Sequence, residues 1–152
     1  MQSINPATGK VIRDYEQMDN TTIETIVHEA QASQDQWRQQ SFKERASLLR
    51  NAAQILKKKK SEFAKLMARE MGKPLPQGES ESEKCGWVCE YYAENAKDFL
   101  ADQPIQTDAS KSYVTFNPLG TVLAIMPWNF PFWQLYRFGA PALMAGNAIV
   151  LK

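Results

Sequence analysis

The chain has 152 residues, 43% of them hydrophobic and 23% charged, the make-up of an ordinary globular domain able to bury a core. Eighteen Lys and Arg against 17 Asp and Glu leave a net charge of +1, without the basic excess that gripping a phosphate backbone requires, so no nucleic-acid partner is expected. No apolar stretch approaches the roughly 20 residues that cross a bilayer, since Gly139 to Leu151 is short and interrupted by Pro141, Gly146 and Asn147, and no membrane partner is expected.

The opening shows neither a basic segment followed by an apolar run nor an Arg- and Ser-rich transit sequence, which predicts a cytoplasmic location. Ser3 to Ile12 sets the turn residues Asn5-Pro6-Ala7-Thr8-Gly9 between short apolar pieces and predicts an edge hairpin. From Asn20, the expected N-cap, apolar residues at Ile23, Ile26, Val27, Ala30 and Trp37 follow the helical repeat, so a first amphipathic helix should end near Gln39. Ser41-Phe42-Lys43-Glu44 then has the capping-box pattern, in which hydroxyl and carboxylate satisfy backbone donors of the first turn. A second helix starting there carries apolar residues at core spacing from Leu48 to Met71, stops at Gly72 and Pro74, and should be about 45 Å long. Within it, Lys57 to Lys60 reads as a solvated face, because the run is brief and Glu62 follows.

After Pro74 and Pro76 a third helix is expected from about Gly78 to Leu100, with Cys85, Val88, Cys89, Tyr92, Ala96 and Phe99 toward a core. Cys85 and Cys89 share one helix face, but a metal needs two further ligands and His28 is the only histidine. No metal site is expected, and the two thiols should be buried as small hydrophobes. The character changes after Asp102. Tyr113, Thr115 and Phe116 suit a strand, Asn117-Pro118-Leu119-Gly120 a turn, and Thr121 to Met126 a strand covered on both faces in a parallel sheet. Pro131 to Ala145 reads as a helix despite Pro141, and Asn147 to Lys152 as a second buried strand. Together they make one β-α-β unit, which places the chain in the α/β class.

Chemistry concentrates in Met126-Pro127-Trp128-Asn129-Phe130-Pro131, at the C-terminal end of the first buried strand, where ligands bind in open α/β sheets. Two prolines stiffen a turn that presents Asn129, and its amide can donate to an oxygen that becomes negative during a reaction. By composition alone an asparagine between aromatic residues in a turn more often caps backbone than catalyses. The wider pattern favours chemistry. Asn5-Pro6-Ala7-Thr8-Gly9, Glu70-Met71-Gly72-Lys73-Pro74, Pro118-Leu119-Gly120, Pro127-Trp128-Asn129-Phe130-Pro131, Ala145-Gly146-Asn147 and Val150-Leu151-Lys152 resemble the aldehyde dehydrogenase family in order and spacing, over the whole chain.

That resemblance implies N-terminal helices followed by the first β-α-β of a Rossmann-like cofactor domain, left incomplete. The expected division is a hairpin and three-helix part over 1–102, a strand segment of oligomerisation type over 103–120, and the start of the dinucleotide-binding sheet over 121–152. Members of the family are much longer, so the chain is expected to be an N-terminal fragment, inactive alone, with the nucleophilic cysteine and general-base glutamate beyond Lys152. By the same resemblance Asn129 is the side-chain donor to the thiohemiacetal oxyanion. Lys152 contacts the adenosine ribose of NAD or NADP, with Ile125, Met126 and Trp128 nearby, largely through backbone groups. Arg137, with Phe130 and Trp133, lines the substrate tunnel, and an arginine eight residues after Asn129 resembles the succinate-semialdehyde branch, where its planar fork matches the far carboxylate.

The implied activity is oxidation of a small-molecule aldehyde, succinate semialdehyde, to its acid with NAD or NADP, in a homo-oligomer at full length. The rival reading is a non-catalytic folding or assembly module whose strand edges invite association. A membrane-surface reading built on the four Trp and the Lys run is weak, because Trp128 and Trp133 belong to the turn and helix while the lysines lie on another element.

Overall fold

The computed structural model describes residues 1–152. Strands β1 (Gln2–Ile4) and β2 (Val11–Asp14) form the expected antiparallel hairpin. Helix α1 (Asn20–Trp37) is capped one residue earlier than expected: the Asp19 carboxylate, a charged acceptor and thus a strong partner for a free helix donor, takes the Thr22 N–H at 2.7 Å. The capping box forms as expected at the start of α2 (Phe42–Lys58), with Ser41 N donating to Glu44 Oε2 at 2.8 Å and Glu44 N to Ser41 Oγ at 3.3 Å.

The single long helix expected from Phe42 to Met71 is two helices. Lys59, at φ −101° and ψ 16°, separates α2 from α3 (Lys60–Met71). Hydrogen bonds from Lys59 N to Ile55 O and from Phe63 N to Lys59 O survive at 2.9 and 3.0 Å, so the chain bends without unravelling. Both segments pack against one partner, α4 (Leu75–Phe99). Gly72 closes α3 at φ 73°, a left-handed conformation that a side chain resists. Helix α4 begins three residues before the expected Gly78, because Pro76 fits its first turn, where a missing N–H forfeits no helical bond.

Two glycines set how closely α4 approaches its neighbours. A Cβ at Gly78 would stand 2.9 Å from Ala64 Cα, and one at Gly86 would stand 2.9 Å from Lys57 Cγ and 3.1 Å from Ala53 O. The core joins Leu49, Ala53 and Leu56 of α2, Cys85, Val88 and Cys89 of α4, and Ala140 and Met144 of α5 (Pro131–Met144). No helix is long and apolar enough to cross a membrane.

Strands β3 (Gln103–Pro104) and β4 (Tyr113–Val114) form a short exposed antiparallel ladder, so the strand expected through Phe116 ends at Val114. Strand β5 (Thr121–Ala124) pairs in parallel with β6 (Ala148–Leu151), from Thr121 opposite Ala148 to Ala124 opposite Leu151, with α5 as the crossover. The expected β-α-β unit is present. Its expected burial on both faces is not: Ala124 is buried, but Leu123 and Ile125 are 62% and 64% exposed, since only α1 and α5 pack on a pair of two strands. Gln34 Nε2 donates to Gly146 O at 3.0 Å and Trp37 Nε1 to Leu143 O at 2.8 Å, which moors α1 to the end of α5. Buried Asn147 accepts from Leu119 N and Gly120 N at 2.7 and 3.1 Å and donates to Ala142 O at 3.1 Å. That one side chain fixes the turn entering β5 to the start of β6.

Candidate active site

The turn after β5 hands the chain to α5 with an unmet need. Phe130 precedes α5 without a side-chain cap and Pro131 has no N–H, so the first-turn donors at Phe132 and Trp133 require an outside partner. Glu81 of α4 supplies it, its Oε1 accepting both N–H groups at 3.0 and 2.9 Å. The other carboxylate oxygen pairs with Lys73 Nζ, and both side chains are buried. Lys73 also donates to the main-chain oxygen of Asn129 at 3.2 Å and stands 3.9 Å from the centre of the Phe130 ring. Burial of this pair is tolerated because hydrogen bonds occupy both partners and the N-terminal end of α5 favours a negative charge. The side chain of Asn129 is exposed and takes part in none of the chain's hydrogen bonds.

The other sequence-derived residues fall on either side of that turn. Lys152 N donates to Ala124 O at 2.9 Å, so Ile125 and Lys152 leave adjacent strands side by side, with the Lys152 side chain exposed and Met126 half-buried. Trp128, 76% exposed, lines a groove of about 250 Å³ with Leu66, Met67 and Met71 of α3, while its main chain stays in the turn. Phe130 and Trp133 line a second groove, of about 430 Å³, with Gln77, Ser80, Glu81 and Lys84 of α4. Lys84 Nζ sits 4.0 Å from the centre of the Trp133 ring. Arg137 lies one helical turn beyond Trp133 on the same face of α5. It is exposed and has no acidic partner in the chain.

Cys85 and Cys89 have no accessible surface and are unpaired. Burial pushes both thiols up to about 12, helped by Glu81 beside Cys85 and by Glu90 beside Cys89. Neither is a thiolate near neutral pH, so neither is an available nucleophile. No three His, Cys, Asp or Glu side chains gather as a metal site would require.

Residues 1–152 match the family model described as the aldehyde dehydrogenase family. The chain belongs to the aldehyde dehydrogenase family. It is 46% identical over 150 residues to a probable succinate-semialdehyde dehydrogenase [NADP(+)] of Synechocystis sp., covering 99% of this chain and 33% of the relative. With the succinate-semialdehyde dehydrogenase [NADP(+)] of Mycobacterium leprae it shares 42% over 153 residues, covering 99% and 34%. The crystal structure of succinic semialdehyde dehydrogenase from Streptococcus pyogenes in complex with NADP+ superposes with a TM-score of 0.93 at 32% identity, covering 99% of this chain and 33% of that one. The chain spans about a third of the length of the curated relatives it matches.

This aldehyde dehydrogenase chain brings Phe130 and Trp133 together in one groove, which neither Asn129 nor Arg137 lines, and places Ile125 and Lys152 at neighbouring strand ends. Sequence reasoning missed Glu81 and gave Lys73 no role. Glu81 lies four residues before Cys85, on the buried stripe of α4, and an acid there must have a partner. Lys73 stood inside a motif already singled out, and its burial could not be read from an exposed-looking turn.

Proposed function

We propose that residues 1–152 are the N-terminal part of an enzyme that oxidises succinate semialdehyde to its acid, with NADP favoured over NAD as cofactor. The names of the Synechocystis and M. leprae relatives support both substrate and cofactor. The strand ends suit the adenosine end of such a dinucleotide. Ile125 offers apolar surface there, and Lys152, cationic and without an ion-pair partner, can donate to hydroxyl or phosphate oxygens, with Met126 and Trp128 adding main-chain groups. When bound, the nucleotide supplies the hydride acceptor.

The chain's own residues do the rest of what this part contributes. Asn129 donates its amide to the carbonyl oxygen as that oxygen turns negative. Phe130 and Trp133 wall the aldehyde from water, and the Arg137 fork holds the carboxylate at its far end. The attacking thiolate comes from neither Cys85 nor Cys89, which are buried and protonated. We assign residues 1–102 to the helical part of the cofactor domain, 103–120 to a segment that meets other subunits of a homo-oligomer, and 121–152 to the start of the dinucleotide sheet, in a cytoplasmic enzyme. Exposed Ile105, Tyr113, Val114 and Phe116 support the middle assignment.

The observation that carries the reading is a hydrogen-bond-free Asn129 side chain in the turn between β5 and α5, eight residues before an arginine with no acidic partner. In a polypeptide of full family length carrying residues 1–152, Arg137→Ala should raise KM for succinate semialdehyde about ten- to hundredfold, the worth of a charged hydrogen bond. KM for butanal, which lacks the carboxylate, should stay put. Equal effects on the two aldehydes, or none on either, would remove Arg137 from the substrate site.

A further inference from the structure

We infer that Lys73 and Glu81 are positioning residues that aim the Asn129 amide, a role that rests on the reading of Asn129 as the oxyanion donor. Nothing else in the chain aims it. The Asn129 side chain has no hydrogen-bond partner of its own, so what the chain fixes is the place and direction of its Cα–Cβ bond, set by the main chain that carries it. That main chain is held at two points, before and after the α5 boundary. Lys73 grips the carbonyl of Asn129 itself at 3.2 Å, and Glu81 grips the N–H groups of Phe132 and Trp133 at 3.0 and 2.9 Å.

The two grips are one unit, because Lys73 and Glu81 are paired with each other and buried, with side-chain exposures of 5% and 2%. Both anchors come from outside the turn: Lys73 follows the Gly72 stop of α3, and Glu81 lies on the core-facing side of α4. Lys73 over the Phe130 ring adds a third constraint on the residue next to Asn129. The point from which the amide projects is therefore set by the helical scaffold and transmitted through a buried ion pair.

The test replaces both charges together, Lys73→Met with Glu81→Leu, since a lone unpaired charge in this place would threaten folding by itself. On the 152-residue chain, amide hydrogen exchange by NMR should show Phe132 and Trp133 losing at least tenfold of their protection and the Asn129 side-chain signals shifting, while the core amides of α2 and α4 keep theirs. Unchanged exchange at Phe132 and Trp133 would overturn the inference. A variant that unfolds is replaced by Lys73→Gln with Glu81→Gln, which again removes both charges together but keeps a donor and an acceptor, and should give the same changes at smaller size.

The second measurement is kinetic, in a polypeptide of full family length carrying residues 1–152. The paired substitution should lower kcat about a hundredfold, the order expected when a catalytic group is displaced by roughly 1 Å, with KM for the aldehyde changed less than about threefold. Adding Asn129→Ala should then cost far less than it does alone. Independent, multiplicative losses would reduce Lys73 and Glu81 to structural residues. If the unmodified polypeptide turns over no aldehyde, the proposed function fails, and the exchange data still decide whether the pair holds the turn.

Discussion

At the scale of single residues, environment decides chemistry more firmly than residue type. Cysteine is a competent nucleophile in principle, yet Cys85 and Cys89 are stripped of water by α2, α4 and α5 and their thiols are pushed up to about 12. A thiol reagent should therefore label the native chain slowly at pH 8 to 10, while the urea-unfolded chain reacts with a midpoint near the ordinary value of about 8.5. Fast labelling of the native chain would contradict the burial. The sign of the linked pH effect follows. From about pH 8.5 up to about 12 the unfolded state sheds protons that the folded state keeps, so this contribution to stability is present below the unfolded value and is lost as pH rises. Both thiols were legible as core from their helical spacing. The role of Lys73 and Glu81 was not, because the turn groups they hold, at Asn129, Phe132 and Trp133, lie 51 to 56 residues away in sequence.

At the scale of elements, the sequence showed where the helices begin more clearly than where they bend. The Ser41–Glu44 capping box and the Gly72 stop were readable because each works within a few residues. The interruption at Lys59 was not, since Leu56 and Phe63 keep helical phase on either side of it and no Gly or Pro marks it. That packing relies on absent side chains. Gly78→Ala would place a Cβ 2.9 Å from the backbone of Ala64, and it should destabilise the chain by about 1–3 kcal/mol as overpacking, in spite of the better helix propensity of alanine. Urea unfolding followed by circular dichroism would check it. Gly86→Ala should cost less, because the nearest atom there belongs to the movable stem of Lys57. Equal or greater stability of the Gly78 variant would mean that α3 and α4 can separate freely.

At the scale of the whole molecule, a helical framework presents the first two strands of a parallel sheet and little covers their outer side. Leu119, Leu123, Ile125, Trp128 and Leu151 all lie largely open. The sequence indicated the β-α-β unit but overstated its burial, because an apolar run signals what a strand is suited to meet and says nothing about how many neighbours this chain supplies. The proposed function has this framework hold Asn129 where negative charge develops on an aldehyde oxygen. Its most direct test is kcat for succinate semialdehyde in a polypeptide of full family length carrying residues 1–152, with and without Asn129→Ala, at saturating substrate and cofactor. Removing the amide should lower kcat about a hundred- to a thousandfold, the usual loss of one oxyanion donor, with the affinity for NADP unchanged. A variant that turned over within about threefold of the parent, where one donor should matter a hundredfold, would contradict it.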